Sequence, residues 1–254
     1  MHRLDLLLVE QGLAETRTQA QKMLDGGRVQ LFKAGEWQVV NKPGLKLPAD
    51  SQLQVESAEE DRYVSRGAFK LLAALQAAQL DVSGLTALDI GQSTGGFTDV
   101  LLQAGAERVV GLDVGQNQLH PRLQDDPRVV ALEKINARNL LPGLFTEQDL
   151  PLVYDLIVMD VSFISQTLIL PQLPVLLAPS GWLMTLVKPQ FEVGKEKIGK
   201  GGIVRDPALY AEVEQRIREQ VTTLGLHVSH WLASPITGGD GNREFLMVAR
   251  NAMN

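Results

Sequence analysis

The segment Ala87-Leu-Asp-Ile-Gly-Gln-Ser-Thr-Gly-Gly-Phe-Thr-Asp99 constrains the fold more than any other part of this chain. Residues 86–90 form a short apolar run suited to a buried strand, and Val100, Leu101 and Leu102 suit a helix. Between them lie Gly91, Gly95 and Gly96. Glycines here permit positive φ and let a ligand approach the backbone, while the helix start offers unpaired N–H groups to a carboxylate, phosphate or ribose oxygen. Many strand-to-helix turns need glycine only to turn, so the loop alone implies some ligand and no more. Asp89 just before the loop and Gly111-Leu-Asp113 at the end of the next apparent strand strengthen the ligand reading.

From residue 86 onward, strand and helix patterns alternate as in a doubly wound sheet. The strand candidates are 86–90, 108–113, 129–133, 154–160, 181–188, 227–234 and 243–250. A helix over 65–75 precedes them, with Ser65 as its expected cap and Ala68, Leu71, Leu72 and Leu75 on one face. The stretch 165–178 carries Pro171 and Pro174, so any helix there is broken. Asp206 and Pro207 open a clear helix over 206–224. No helix fits between the last two strands, which should form an antiparallel hairpin. Six parallel strands and a reversed seventh make this an α/β, Rossmann-like class I methyltransferase sheet rather than a dehydrogenase sheet.

The first 58 residues form a different kind of module. Two short helices, 3–13 stopped by Gly12 and 17–24 capped by Thr16, are followed by strands at 28–32, 37–40 and 52–55. This is a small α+β domain, and the polar run Ser57-Ala-Glu-Glu-Asp-Arg62 leads into an expected linker at 59–64, with the second domain at 65–254. The quoted residues Arg3-Leu4-Asp5, Gly12-Leu13-Ala14-Glu15-Thr16-Arg17 with Ala20, and Gly27-Arg28-Val29 resemble the S4 RNA-binding domain. That resemblance makes Arg3, Arg17, Lys22 and Arg28 candidate phosphate contacts. A solvated charge is the simpler account of Lys22 taken singly; the RNA account is the better one for Arg17.

Charge is consistent with such a division. The net charge of −6 argues against indiscriminate coating of nucleic acid, but the first 58 residues hold seven basic and seven acidic side chains, leaving 17 against 23 in the remainder. The absence of cysteine removes disulfides, thiolate metal sites and cysteine nucleophiles, and four scattered histidines make no metal-ligand pattern. No metal is therefore expected. No apolar run reaches the roughly 18 residues of a spanning helix, and the start of the chain lacks a signal-peptide layout, so a cytoplasmic protein without membrane partners is expected.

The loop Asp89-x-Gly91-x-x-x-Gly95-Gly96 departs from the dinucleotide fingerprint. Asp113 follows Gly91 by 22 positions (113 − 91), which suits an acceptor for a ribose diol at the end of a second strand. S-adenosylmethionine fits: its amino-acid end would meet Asp89 and the loop residues Gly91, Ser93, Thr94, Gly95, Gly96 and Phe97, its ribose Asp113, with Asp160 nearby. Asp160 and Lys188 end their strands, and Glu244 begins a reversed one, so all three should reach the same sheet edge, with Lys70 closing the group. Two lysines and two carboxylates suit methyl transfer to an alcohol. Lys188 is the expected base, Lys70 its electrostatic partner, and Asp160 and Glu244 the orienting groups.

Taken together, Ser65-Arg-Gly-Ala-Phe-Lys70-Leu, residues 89–99, Asp160-Val-Ser-Phe-Ile164, Val187-Lys-Pro-Gln-Phe-Glu192 and Asn242-Arg-Glu-Phe245 resemble the TlyA family, often labelled haemolysin-like. Its members join an S4 domain to an FtsJ-like (RrmJ-like) methyltransferase domain. The resemblance implies 2′-O-methylation of cytidine in ribosomal RNA or a ribosomal subunit, with Lys70, Asp160, Lys188 and Glu244 matching a Lys-Asp-Lys-Glu tetrad. Two stretches depart from the family pattern, both at the donor pocket: Gln92, where a small residue is usual, and Gly115-Gln-Asn-Gln-Leu119. The basic loop 194–205, with Lys195, Lys197, Lys200 and Arg205, reads as a flap over RNA, favoured over a merely solvated surface loop by its place next to Lys188, and Arg66 joins the RNA-contact candidates. Alternative readings are an RNA-binding protein with an inactive methyltransferase domain, a small-molecule methyltransferase, and a membrane-active haemolysin. The intact tetrad opposes the first, the basic loop and Arg17 the second, and the lack of a spanning or long basic amphipathic segment the third.

Overall fold

A computed structural model describes residues 1–140 and 143–251 and separates the chain into two compact units, one ending at Arg62 and the other starting at Tyr63. The first unit runs β1 (His2–Arg3), α1 (Leu4–Glu10), α2 (Arg17–Asp25), β2 (Val29–Lys33), β3 (Glu36–Val39), β4 (Lys46–Leu47) and β5 (Leu53–Val55). Leu4, Leu8, Ala20, Met23 and Leu24 bury the inner faces of both helices against Val29. Thr16 caps α2 as expected, its hydroxyl accepting from Gln19 N at 3.2 Å. The organising charge is Asp5, wholly buried and holding Arg3 Nε at 3.0 Å, Arg17 Nε at 2.8 Å and Gln21 Nε2 at 3.2 Å. The Arg3 hydrogen bond, with help from Arg17 and Gln21, holds this carboxyl well below the usual carboxylate range against the opposing effect of burial.

Residues 59–64 carry more structure than a plain linker. Glu59–Arg62 form a 3-10 turn in which Asp61 accepts from Arg28 and from Ala58 N, and Tyr63 is buried in the core of the second unit.

The second unit continues with α3 (Ala68–Ala78), β6 (Thr86–Ile90), α4 (Gly96–Gln103), β7 (Arg108–Leu112), α5 (Pro121–Gln124), β8 (Val129–Leu132), α6 (Gly143–Thr146), β9 (Tyr154–Met159), β10 (Leu177–Val187), α7 (Pro207–Thr223), β11 (Leu226–Ala233) and β12 (Phe245–Asn251). The seven strands lie in the order β11-β12-β10-β9-β6-β7-β8, and β12 runs antiparallel to both of its neighbours while the other pairs are parallel. Successive residues of the central strands face opposite cores, which is why these strands read as unbroken apolar runs. Ile157 and Met159 pack with Leu88, Ile90 and the inner face of α7, whereas Leu156 and Val158 pack with Ala87, Leu71 of α3 and Leu101 of α4.

One local detail differs from the sequence reading and another sharpens it. Ser65 does not cap α3: the helix begins at Ala68, and the Ser65 hydroxyl accepts from Gly67 N at 3.1 Å to close a tight turn one step earlier. The proline-containing stretch after β9 holds three separate 3-10 turns and no α-helix, because Pro171 and Pro174 supply no N–H to a continuous ladder.

Leu88 lies fully buried at the centre of the sheet. Leu88→Ala should lower the unfolding free energy by about 2–5 kcal/mol, measured by urea titration; a loss near zero would mean that this core repacks around the gap.

Candidate active site

The site lies along the sheet edge where the parallel strands end and β12 begins. Strand β6 delivers Asp89 and then breaks into the glycine loop, with Gly91 at φ +86° and Gly95 at φ +93°. A Cβ on Gly91 would stand 2.3 Å from the carbonyl oxygen of Asp160, and one on Gly96 would stand 2.4 Å from Ser65 Oγ. Glycine at these two positions lets the loop close on the end of β9 on one side and on the turn before α3 on the other. Asp113, just past β7, ties the loop down: Oδ2 accepts from Ser93 N at 2.8 Å and Oδ1 from Gly115 N at 2.6 Å.

A cleft of about 660 Å³ opens beside the loop, lined by Gly91, Ser93, Asp113, Ile135, Asp160 and Phe163 among others. A smaller hollow of about 220 Å³ adjoins it, bounded by Ser65, Thr94, Gly96, Phe97 and Lys188. The two share Gly91, Ser93, Asp160 and Ser162, so they form one continuous depression with Asp160 at the junction.

One lysine–carboxylate pair lines that depression, and a second joins α3 to the start of β12. Lys188 Nζ is 2.6 Å from Asp160 Oδ1 and donates to Ser162 Oγ at 2.8 Å. Lys70, on the buried side of α3, donates to Glu244 Oε2 at 2.6 Å. Val187 pairs with Phe245 across the antiparallel ladder, so one further step places Lys188 opposite Glu244. The four residues therefore occupy adjoining strand ends and a helix packed over them. Each lysine meets an opposite charge, which is the condition for holding ionised groups at such depth.

Asp89 behaves differently. It is buried, its Oδ2 accepts from Thr98 Oγ1 at 2.7 Å, and its Oδ1 has no hydrogen-bond partner among the described residues. Burial pushes this carboxyl up to about 7; Thr98 pulls the other way, and the charges of Asp160 and Asp113 add to the rise.

Several contributors escaped the sequence reading. Ser162 holds Lys188 and lies on a loop whose chemistry shows only once Asp160 is known to end a strand. Phe163 is 92% exposed at φ +64° beside the cleft, its ring 5.3 Å from that of Phe191. Glu192 is buried between the loops that follow β9 and β10, accepting from Ser165 Oγ at 2.6 Å, from Gln166 N at 2.9 Å and from Arg216 Nη2 at 3.2 Å. Burial raises the Glu192 carboxyl, against the lowering effect of these donors. Asn242, also buried, accepts from Val204 N at 3.1 Å and donates to Gly202 O at 2.9 Å, so it pins the basic loop two residues from Glu244. An acid inside the run Pro-Gln-Phe-Glu-Val and an asparagine at a glycine turn were the available signals.

The expected RNA contacts are distributed unevenly. Arg66, Lys195, Lys197, Lys200 and Arg205 are exposed in the second unit, with Lys197 pairing with Glu212 at 2.9 Å. In the first unit Arg3, Arg17 and Lys22 are exposed, the two arginines being oriented by Asp5. Arg28 is the least open, with only 14% of its side chain exposed where it grips Asp61. Among the described residues no group of histidine and carboxylate side chains is arranged to hold a metal, and no helix is long and apolar enough to cross a membrane.

Comparison with known proteins agrees with this architecture. The pattern of the FtsJ-like methyltransferase family matches residues 63–251, and that of the S4 domain matches residues 2–53. The chain is 42% identical over 248 residues to the 16S/23S rRNA (cytidine-2′-O)-methyltransferase TlyA of Mycobacterium tuberculosis, covering 98% of this chain and 89% of that protein. It is 37% identical over 244 residues to hemolysin A of Brachyspira hyodysenteriae, covering 96% and 98%. Among solved structures, a candidate hemolysin from Streptococcus thermophilus superposes with a TM-score of 0.73 at 42% identity, covering 98% of this chain and 88% of the other. Aeropyrum pernix fibrillarin, solved with S-adenosyl-L-methionine, shares the fold at a TM-score of 0.51 and 16% identity, covering 72% and 76%.

The burial of Asp89 has a measurable cost. With a value near 7 in the folded chain against 3.8 for a free carboxyl, Asp89 favours the folded state below pH 4, and that contribution drains away as pH rises towards 7. Asp89→Asn carries no such charge, so its thermal stability relative to the unmodified protein should improve across that window and level off above it. A difference independent of pH would show that the charge is not the costly feature.

Proposed function

This chain belongs to the TlyA family, in which an S4 domain is joined to an FtsJ-like methyltransferase domain, and on that premise we propose that it methylates the 2′-hydroxyl of a cytidine ribose in ribosomal RNA, with S-adenosylmethionine as donor. The observation that carries the reading is the Lys188–Asp160 pair in the lining of the depression, with Glu244, paired to Lys70, opposite Lys188 on the neighbouring strand.

The residues in and behind the glycine loop fit that donor. The unpartnered Asp89 Oδ1 is an acceptor suited to an ammonium group. The first turn of α4, from Gly96, presents N–H groups suited to a carboxylate. Asp113 spends one lone pair of each oxygen on the loop backbone and keeps the others for a ribose diol. Ser93, Thr94, Gly95 and Phe97 complete the loop side of this site. When bound, the donor supplies a methyl group on a sulfonium whose leaving group departs neutral.

The chain's own contribution is to prepare the alcohol. Lys188, with Asp160 and Ser162 fixing its Nζ, takes the proton of the 2′-hydroxyl as the new O–C bond forms. Lys70 on α3 is its electrostatic partner. Glu244 orients Lys70. Phe163 offers an exposed ring at the cleft mouth for a base to stack on. Lys195, Lys200, Arg205 and Arg66 supply phosphate contacts on the catalytic unit, and Arg3, Arg17 and Lys22 supply them on the S4 unit, with Arg28 bracing that unit through Asp61. The haemolysin label borne by some relatives finds no physical support in a membrane-crossing helix among the described residues.

Mapping of 2′-O-methyl marks on ribosomal RNA from cells with and without the protein tests the reading, and a cytidine mark that depends on the protein is expected. No difference would favour an RNA-binding protein with a silent methyltransferase domain. In vitro, Lys188→Ala should reduce methyl transfer by at least about 100-fold, the usual scale of a lost general base, while donor affinity is retained. Near-normal turnover would remove Lys188 from that role.

A further inference from the structure

We propose that Gln92 is a positioning residue for the donor's amino-acid end, acting through Thr98 to set the orientation of the Asp89 carboxylate. The inference rests on the donor reading above and assigns work to a side chain that departs from the family pattern.

The geometry is a buried chain of three polar groups. Gln92 Nε2 donates to Thr98 Oγ1 at 2.9 Å, and Thr98 Oγ1 donates to Asp89 Oδ2 at 2.7 Å. Gln92, Thr98 and Asp89 are 5%, 0% and 1% exposed. A threonine hydroxyl owns a single proton. Because the Gln92 amide occupies a lone pair of that hydroxyl, its proton is directed onto Asp89 Oδ2, and Asp89 is held as an acceptor with Oδ1 left unpartnered.

The fold makes deliberate room for the amide. Gly111 of β7 pairs with Asp89 across the sheet, and a Cβ there would lie 2.0 Å from Gln92 Cδ. The Gln92 backbone is fixed as well, its N–H donating to Leu112 O at 3.1 Å and its carbonyl accepting from Gly95 N at 2.8 Å. Gln92 also borders the hollow that contains Gly96, Phe97 and Lys188. Gly111 makes room for a long side chain at this position, and the amide is the part of it that reaches Thr98.

A consequence follows for pH. The charged groups bearing on Asp89 are Asp160 after β9 and Asp113 after β7, both of which disfavour its ionisation, while Lys188 after β10 is engaged by Asp160. Thr98, from α4, is the hydrogen-bond donor that favours ionisation. An ammonium ligand needs the carboxylate, so donor affinity should fall as pH drops below about 7. Loosening Thr98 should move that fall to higher pH.

Calorimetric titration of S-adenosylmethionine and S-adenosylhomocysteine into the full chain between pH 6 and 8 tests this. Gln92→Met keeps the volume and drops the amide, and Thr98→Val keeps the shape and drops the hydroxyl. Each should weaken binding by about 3- to 10-fold at pH 7, the scale of one hydrogen bond, and shift the pH midpoint upward. The double variant should lose no more than Thr98→Val alone, because the two side chains act in series, and Thr98→Ser should recover most of the affinity that Thr98→Val loses. Thermal melting identifies any variant that fails to fold; should Gln92→Met do so, Gln92→Leu replaces it in the comparison. Affinity and pH profile unchanged in folded Gln92→Met would overturn the inference while leaving the donor reading standing. Absence of binding by the folded, unmodified protein would overturn the donor reading and this inference with it.

Discussion

The approach of the glycine loop to the end of β9 is the contact on which the site depends. At Gly91 the backbone lies so near Asp160 that a Cβ would come within 2.3 Å of its carbonyl oxygen. That closeness sets Asp160 at the wall shared by the cleft and the hollow, and Asp160 in turn holds the Nζ of Lys188. Any residue larger than glycine would push the loop away from the strand end and separate the donor side of the depression from the lysines. The left-handed φ at this position adds a second reason for glycine, since other residues are strained there.

Charge is handled in two ways at this edge. Lys70 and Glu244 are buried as a pair, as Lys188 and Asp160 are partly buried, so desolvation is offset by direct opposite charge and hydrogen bonds. Asp89 is buried with hydroxyl support and no cation, and its carboxyl is pushed up to about 7. A protein selected only for stability would place an amide there. The retained acid is what a site for a positively charged group requires, and it belongs to the pattern in which strained electrostatics mark function. Behind these groups, Glu192 fastens the loops after β9 and β10 to each other and to Arg216 of α7. The strand ends that carry Asp160 and Lys188 are thereby tied to one another.

The S4 unit uses one buried acid for a different purpose. Asp5 is wholly enclosed and orients both Arg3 and Arg17 while their side chains remain about half exposed. Two flexible cations are thereby held in place before any partner arrives, which lowers the ordering entropy that a phosphate contact has to overcome. Arg28, by contrast, spends its guanidinium within its own unit on Asp61.

The strand–loop–helix at residues 86–103, the parallel order and the reversed last strand were legible because each is written in local periodicity and glycine placement. So was the convergence of Asp160, Lys188 and Glu244, which follows from strand direction alone. The start of α3 was not, because Ser65 has the chemistry of a cap and its actual use, packing against Gly96, depends on a loop thirty residues away. The pairing of Lys70 with Glu244 and of Lys188 with Asp160, the engagement of Arg28 by Asp61, and the burial of Glu192 and Asn242 were likewise decided only in three dimensions. Gln92 shows the difference most clearly: in the sequence it is an odd residue in a loop of small ones, and in the structure Gly111 of the neighbouring strand makes the space that lets it reach Thr98. Which elements form depends on neighbours a few residues apart, and the sequence contains those. Which polar groups meet depends on strands brought together from distant segments, and only the packed sheet supplies that.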